Sequence, residues 1–254
     1  MTVVHSQGIL RGVKYLVIIL ILGCCGREKH VETRNEKALL VPTKESTLES
    51  QPLAIIAPVE FCGEVYEREV AELQCLDEAI TDLMPLAKLT ALKQLVLYGN
   101  PVTDLTPLAS LRELKLLILA RTKVSDLTPL AKLKALETLS LVGTNVSDLT
   151  PLADLTALTD LRLTDTPVAD LTPLAGLTAL MTINISMTKK LTDLSPLAGL
   201  KALETLNLVD SSVTDLSPLA GLKGLKVLNV FRTQVSDAHL RKLQAALPNL
   251  EIER

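Results

Sequence analysis

The sequence predicts an α/β solenoid: a stack of short parallel strands backed by short helical turns, with one face of its sheet left open. Three observations carry this. Prolines stand at 85, 107, 129, 151, 173, 196 and 218, a spacing of 22 broken once by 23. A Leu-x-x-Leu-x-Leu trio recurs in the same register between them. Aromatic residues make up 2% of a 254-residue chain that is 48% hydrophobic and has no Trp. Ordinary globular cores draw much of their buried area from aromatics, so a core of Leu, Val, Ile and Ala points to one small unit copied many times.

Each position of the unit has a physical reading. Leu92, Leu95 and Leu97 mark a short strand, repeated as Leu114/Leu117/Leu119, Leu136/Leu139/Leu141, Leu158/Leu161/Leu163, Leu180/Ile183/Ile185, Leu203/Leu206/Leu208 and Leu225/Leu228/Val230. Val70/Leu73/Cys75 is a degenerate first copy and Leu247/Leu250/Ile252 a truncated last one. Alternation along a strand turns these side chains inward and their neighbours outward. Nine such strands make a sheet roughly 40 Å long. Asn100, and Thr at 122, 144, 166, 188 and 233, follow the strands with short side chains suited to bonding backbone groups freed by a bend. Thr106-Pro107 and its copies read as a helix cap with Pro at the first helical position, and the Asp two residues before each Thr can accept the same free amides. Pro-Leu-Ala-x-Leu is too short for more than a turn or two, so 3₁₀ pieces are expected on the back, where Leu108 and Leu111 close the core. Residues 236–254 drop the proline, take helical spacing and should form a closing cap with the last strand. Residues 52–69 should cap the other end of repeats spanning 70–235.

The run Leu92-Lys-Gln-Leu95-Val-Leu97-Tyr-Gly-Asn100-Pro-Val102-Thr-Asp104-Leu105-Thr-Pro107-Leu108-Ala-Ser-Leu111 resembles the bacterial, internalin-like class of leucine-rich repeats, and the resemblance covers residues 70–254. It implies an arc with the parallel sheet on its concave face and 3₁₀-type helices on its convex face. It also implies a protein that holds a partner and performs no catalysis.

The N-terminus reads as a targeting segment. Arg11 and Lys14 precede the apolar run Tyr15–Leu22, and small residues follow. The run is too short to span a bilayer comfortably, which takes roughly 20 apolar residues. Ile21-Leu22-Gly23-Cys24 resembles the lipobox of bacterial lipoproteins, which implies removal of residues 1–23, lipid attachment at Cys24 and residence in a bacterial cell envelope, on a membrane. An uncleaved anchor and a conventionally cleaved signal are the alternatives. Residues 24–51, rich in Glu, Lys, Thr and Ser beyond the cysteines, show no sustained period and read as a tether.

Charge and composition narrow the function. The chain carries −3, and loss of residues 1–23 takes it to −5. With no basic patch, nucleic acid is not an expected partner, since its binding rests on phosphate neutralisation. No triad, metal-ligand or phosphate-loop spacing is present, so neither catalysis, a cofactor nor a small-molecule substrate is expected. Cys62 and Cys75 remain in the mature chain, either bridged at the end of the stack or left as two buried thiols.

The outward strand positions form three columns and are the candidate site. The first runs Gln94, Leu116, Thr138, Asp160, Thr182, Thr205, Val227. The second runs Val96, Ile118, Ser140, Arg162, Asn184, Asn207, Asn229. The third runs Tyr98, Ala120, Val142, Thr164, Ser186, Val209, Phe231. Early repeats are apolar, the middle carries one charge pair, and late repeats are Asn and Thr. Val96, Tyr98, Leu116, Ile118, Val142, Asp160, Arg162, Asn184, Asn207, Asn229 and Phe231 are therefore the expected protein-contacting residues: exposed apolar surface and outward aromatics mark interfaces. The competing reading is that Val, Ile and Thr are simply good strand residues. The alternative function is a structural or self-associating envelope protein without a single dedicated ligand, with the apolar patch buried in a homo-oligomer.

Overall fold

At one point in every repeat the backbone takes a left-handed turn, and the architecture follows from that regularity. Asp77, Gly99, Arg121, Gly143, Asp165, Met187, Asp210 and Arg232 all have positive φ, one per repeat. Only two of them are Gly, although the left-handed region costs a side chain about 1–2 kcal/mol. The turn swings the chain out of the sheet toward the back. At Gly99 the carboxylate of Asp77 lies where a Cβ would stand, 1.7 Å from Oδ1, so a side chain there would have to turn this exposed group aside as well as accept the positive φ.

The computed structural model describes residues 57–254. The expected cleavage site, Cys24 and the tether lie outside the described residues. The chain opens with an antiparallel hairpin, β1 (Val59–Phe61) and β2 (Glu64–Tyr66), turned at Cys62-Gly63 with both φ positive. Nine parallel strands follow in one sheet: β3 (Glu72–Gln74), β4 (Gln94–Val96), β5 (Leu116–Ile118), β6 (Thr138–Ser140), β7 (Asp160–Arg162), β8 (Thr182–Asn184), β9 (Thr205–Asn207), β10 (Val227–Asn229) and β11 (Glu251–Glu253). Strand order is sequence order, and each strand pairs in the same register with the next, Leu95↔Leu117 and Leu139↔Leu161 among the partners. This is a leucine-rich-repeat solenoid. The only α-helix among the described residues is α1 (Asp237–Ala246), capped by Ser236 Oγ, which accepts from His239 N.

The core is the stacked trios. Leu92, Leu95 and Leu97 and their copies through Leu208 are 0% exposed, joined by the back-side Leu108, Leu130, Leu152, Leu174 and Leu197. Each fully buried Leu contributes roughly 1.5–3 kcal/mol of transfer free energy, and no repeat buries its own edge without its neighbours. Beside the trios runs the expected side-chain ladder. Thr122, Thr144, Thr166 and Thr188 each donate Oγ1 to the carbonyl three residues back at 2.6–2.7 Å. Asn100 donates to Cys75 O and Tyr98 O and accepts from Ile80 N. Ser211 occupies the same rung but its buried Oγ has no partner.

The helix cap differs from the expected one. The 3₁₀ segments begin at the Thr itself, Thr106–Ser110 for example, with Pro second, and no side chain caps the residue before. Asp104 Oδ1 accepts from Thr106 N at 2.8 Å, and Asp126, Asp148, Asp170, Asp193 and Asp215 do the same in their repeats. A carboxylate two residues upstream reaches this amide by closing a tight turn, leaving the Thr free to enter the helix. Cys62 and Cys75 are bridged with Cα atoms 6.0 Å apart, which ties the hairpin turn to the end of β3. At the other end Gln244 Nε2 lies within 3.2 Å of the carbonyls of Leu247, Pro248 and Leu250, fastening the loop between α1 and β11.

Candidate functional site

The in-register strands bring the three columns together on the outer face of the sheet, side by side and one residue per strand. Neighbours in a column stand about 4.8 Å apart, so each side chain is flanked by two others. That closeness makes the face less open than the sequence implied. Val96, Leu116, Ile118 and Val142 are half-buried. Ser140 points outward as expected yet is only 4% exposed, because Ile118 and Arg162 flank it in register. Ala120 and Ser186 are shaded in the same way, at 6% each.

Charged and polar groups on this face are largely engaged with one another. Asp160 and Arg162, the one charge pair, close on each other through two contacts of 3.1 Å, Nε to Oδ1 and Nη2 to Oδ2. Gln94 Nε2 donates to Glu72 Oε1 on the neighbouring strand at 2.9 Å. In the late repeats each Asn folds its oxygen back onto its own strand: Asn184 Oδ1 accepts from Ser186 N at 3.1 Å, Asn207 Oδ1 from Val209 N and Asn229 Oδ1 from Phe231 N at 3.0 Å. Thr164 and Ser186 hydroxyls add bonds to the Asn184 oxygen. Asn229 spends its amide on Glu253 Oε2. The Nδ2 groups of Asn184 and Asn207 bond nothing among the described residues, so the late half offers amide donors outward.

Both aromatics on the face carry an arginine. Arg121 Cζ lies 5.5 Å from the Tyr98 ring centroid, and Arg232 Cζ 5.9 Å from that of Phe231, which is 50% exposed. Contacts of this kind are worth about 0.5–1 kcal/mol at exposed sites and present a ring and a cation as one surface. Sequence reasoning missed both arginines. The available signal was that each occupies the position directly after the third column.

Elsewhere the titratable groups are structural. The hydroxyl and amide of Thr106 hold the Asp104 carboxyl below the usual carboxylate range, and Asp126, Asp148 and Asp170 are held down alike. The hydroxyl and amide of Ser195 do so for Asp193, while at Asp215 the Ser217 amide leads. Burial raises the Tyr66 phenol. Among the described residues no group of three or more His, Cys, Asp or Glu is placed to hold a metal ion, and no helix is long and apolar enough to cross a membrane. The surface offers shape, apolar contact and hydrogen bonds.

Solved structures with the same repeat and sheet settle the family. Internalin C2 from Listeria monocytogenes is 33% identical to this chain with a TM-score of 0.69, covering 75% of this chain and 84% of that one. The chain belongs to the internalin family of bacterial leucine-rich-repeat proteins. Two less similar structures share the fold. A leucine-rich-repeat protein of Leptospira interrogans is 23% identical with a TM-score of 0.55, covering 68% of this chain and 52% of that one. The functional domain of InlJ from L. monocytogenes, described as including a cysteine ladder, is 19% identical with a TM-score of 0.52, covering 72% of this chain and 48% of that one. No family model and no curated protein matches the chain. In this internalin-family member the left-handed column, the Thr ladder and the Asp turns recur once per repeat around the sheet that carries the candidate site.

Proposed function

We propose that the chain is a non-catalytic protein-binding module, held on a bacterial envelope membrane through lipid on Cys24, with its partner lying on the outer face of the sheet. The observation that carries this is the graded face itself. Half-buried Val96, Leu116, Ile118 and Val142 lead from the Tyr98–Arg121 pair through the neutralised Asp160–Arg162 to the amides of Asn184 and Asn207 and the exposed Phe231. Simple drift among good strand formers does not place an arginine over each of the two outward rings. Self-association edge to edge is opposed by charge, since Glu251 and Glu253 on β11 would meet Glu72 on β3 of a second copy.

The test is site-specific photocrosslinking of the full chain in its native envelope. A crosslinker at Ile118 or Asn207 should capture a protein that one at Lys132, on the back, does not. With that protein in hand, Tyr98→Ala and Ile118→Asp should each weaken binding by about 2 kcal/mol or more. Arg162→Glu should change salt dependence more than affinity. Capture at Lys132 with none at Ile118 or Asn207 would reject the face. A mass measurement of the extracted protein tests the anchor, which requires a lipidated Cys24 as the first residue.

A further inference from the structure

We propose that the early half of the sheet face binds an extended polypeptide segment through main-chain carbonyls, received by a row of backbone amides at Tyr98, Ala120, Val142 and Thr164. The inference rests on the protein-binding reading above and names the chemistry of the partner.

The row arises from the ladder behind it. Continuation of the parallel sheet would hand each of these N–H groups to a carbonyl of the preceding repeat. Those carbonyls are turned into the bend instead. Leu119 O and Leu141 O take the hydroxyl and amide of Thr122 and Thr144, and Cys75 O takes Asn100 Nδ2. In the late repeats the orphaned N–H is rescued by the Asn two residues earlier, giving Ser186, Val209 and Phe231 their acceptors. In the early repeats that position is Val96, Ile118, Ser140 and Arg162, and the amides of Tyr98, Ala120, Val142 and Thr164 have no acceptor among the described residues. A backbone donor with no acceptor within the protein is left to water or to a ligand.

These donors are reachable from the outer face, because a side-chain oxygen held over that face reaches the equivalent amide in three repeats. They are aligned, since the strands pair in register. Four amides at about 4.8 Å spacing span roughly 14 Å, the length of about four extended residues. Such a segment turns carbonyls to this side at every second residue, about 6.6 Å apart, so two or three carbonyls are shared along the row. The face asks for acceptors throughout, because Asn184 and Asn207 also turn Nδ2 outward. A helix uses its carbonyls internally; an extended segment keeps them free while setting apolar side chains on Val96, Leu116 and Ile118.

The experiment uses the full chain labelled with nitrogen-15 and a decapeptide selected on it from a random displayed pool, with an N-acetylglucosamine hexamer as a second probe. Without a probe, the amides of Tyr98, Val142 and Thr164 should exchange with solvent about tenfold faster than those of Ser186, Val209 and Phe231, as expected for the loss of one hydrogen bond. The peptide should shift the four early amides and slow their exchange, leaving the three late ones unchanged. Ile118→Asn supplies an internal acceptor and should abolish the shift at Ala120. Ile118→Ser is equally polar, but Ser140 shows that serine does not reach this amide, so the shift at Ala120 should persist. A peptide that perturbs the face side chains without moving the four amides overturns this inference and spares the protein-binding reading. A pool that yields no peptide for the face, or a response to the sugar alone, overturns both.

Discussion

Replacing Leu139 with Ala tests the stack at its centre. Leu139 is 0% exposed, and so are its register partners Leu117 and Leu161 on either side. Both flanking strands are hydrogen-bonded into the sheet, so neither can move inward to fill the space left by the lost atoms. Leu→Ala costs range over about 2–5 kcal/mol according to how far a site collapses, and a position locked on two sides belongs in the upper part, about 3–5 kcal/mol. At about 2–4 °C per kcal/mol for a protein of this size, the melting temperature should fall by roughly 10 °C. Ser140→Ala, one residue away, is the control. That side chain is 4% exposed but lies on the outer face and bonds nothing among the described residues, so its loss should stay within about 0.5 kcal/mol. Urea melts followed by circular dichroism separate the two. Equal losses at 139 and 140, or a loss below about 1 kcal/mol at 139, would mean that the strand faces have been read the wrong way round.

Three further outcomes follow from particular contacts. Ser211→Thr should restore the ladder bond that the other rungs make, raising stability by about 1 kcal/mol; a neutral or lower melting temperature counts against the ladder. Folding lowers the carboxyl pKa of Asp104, Asp126, Asp148, Asp170, Asp193 and Asp215. The stability they contribute is therefore complete above the ordinary carboxylate range and lost as pH falls through their lowered folded values. Melts across an acid series should show this decline, and a flat profile would contradict it. Reducing Cys62–Cys75, whose loop spans 13 residues, should cost about 3 kcal/mol, with hydrogen exchange rising first in β1, β2 and β3. Uniform loosening along the sheet would assign the bridge a different role.

Much of this was legible because translation along a stack leaves little for tertiary context to override. The spacing of Pro85 to Pro218 and the inward trios lead directly to the sheet, since a period of 22 with alternation inside it has one physical solution. The outer face was legible only as a set of positions. That Asp160 and Arg162 close on each other, or that Asn184, Asn207 and Asn229 bend back to their own strands, depends on side-chain torsions that no pattern of residue types encodes. Burial of Ser140 and Ala120 depends on the height of neighbours one repeat away. The left-handed column was hidden for a different reason. Most of its members are Arg, Asp or Met rather than Gly, so the usual mark of a positive φ is missing, and stacking enforces a conformation that local propensity resists.

The single repeat of 23 residues shows how such a chain changes length. Its extra residue falls at Lys189-Lys190, between the rung Thr188 and the inward Leu191, where other repeats have one residue. Lys189 reaches the next turn through Asp210, and β8 and β9 still pair in the common register. A single extra residue is thus absorbed in this side loop, and the in-register stacking of equivalent units leaves a second route, the gain or loss of a whole repeat. Excising residues 126–147 would join Ser125 to Asp148 and recreate the same Ser-Asp-Leu-Thr-Pro junction. Shortening by a unit would then bring the Tyr98 and Phe231 ends of the face closer by about one strand spacing. In such a scaffold the length of the sheet's outer face is a heritable variable, adjusted by copy number while the core contacts of each unit recur.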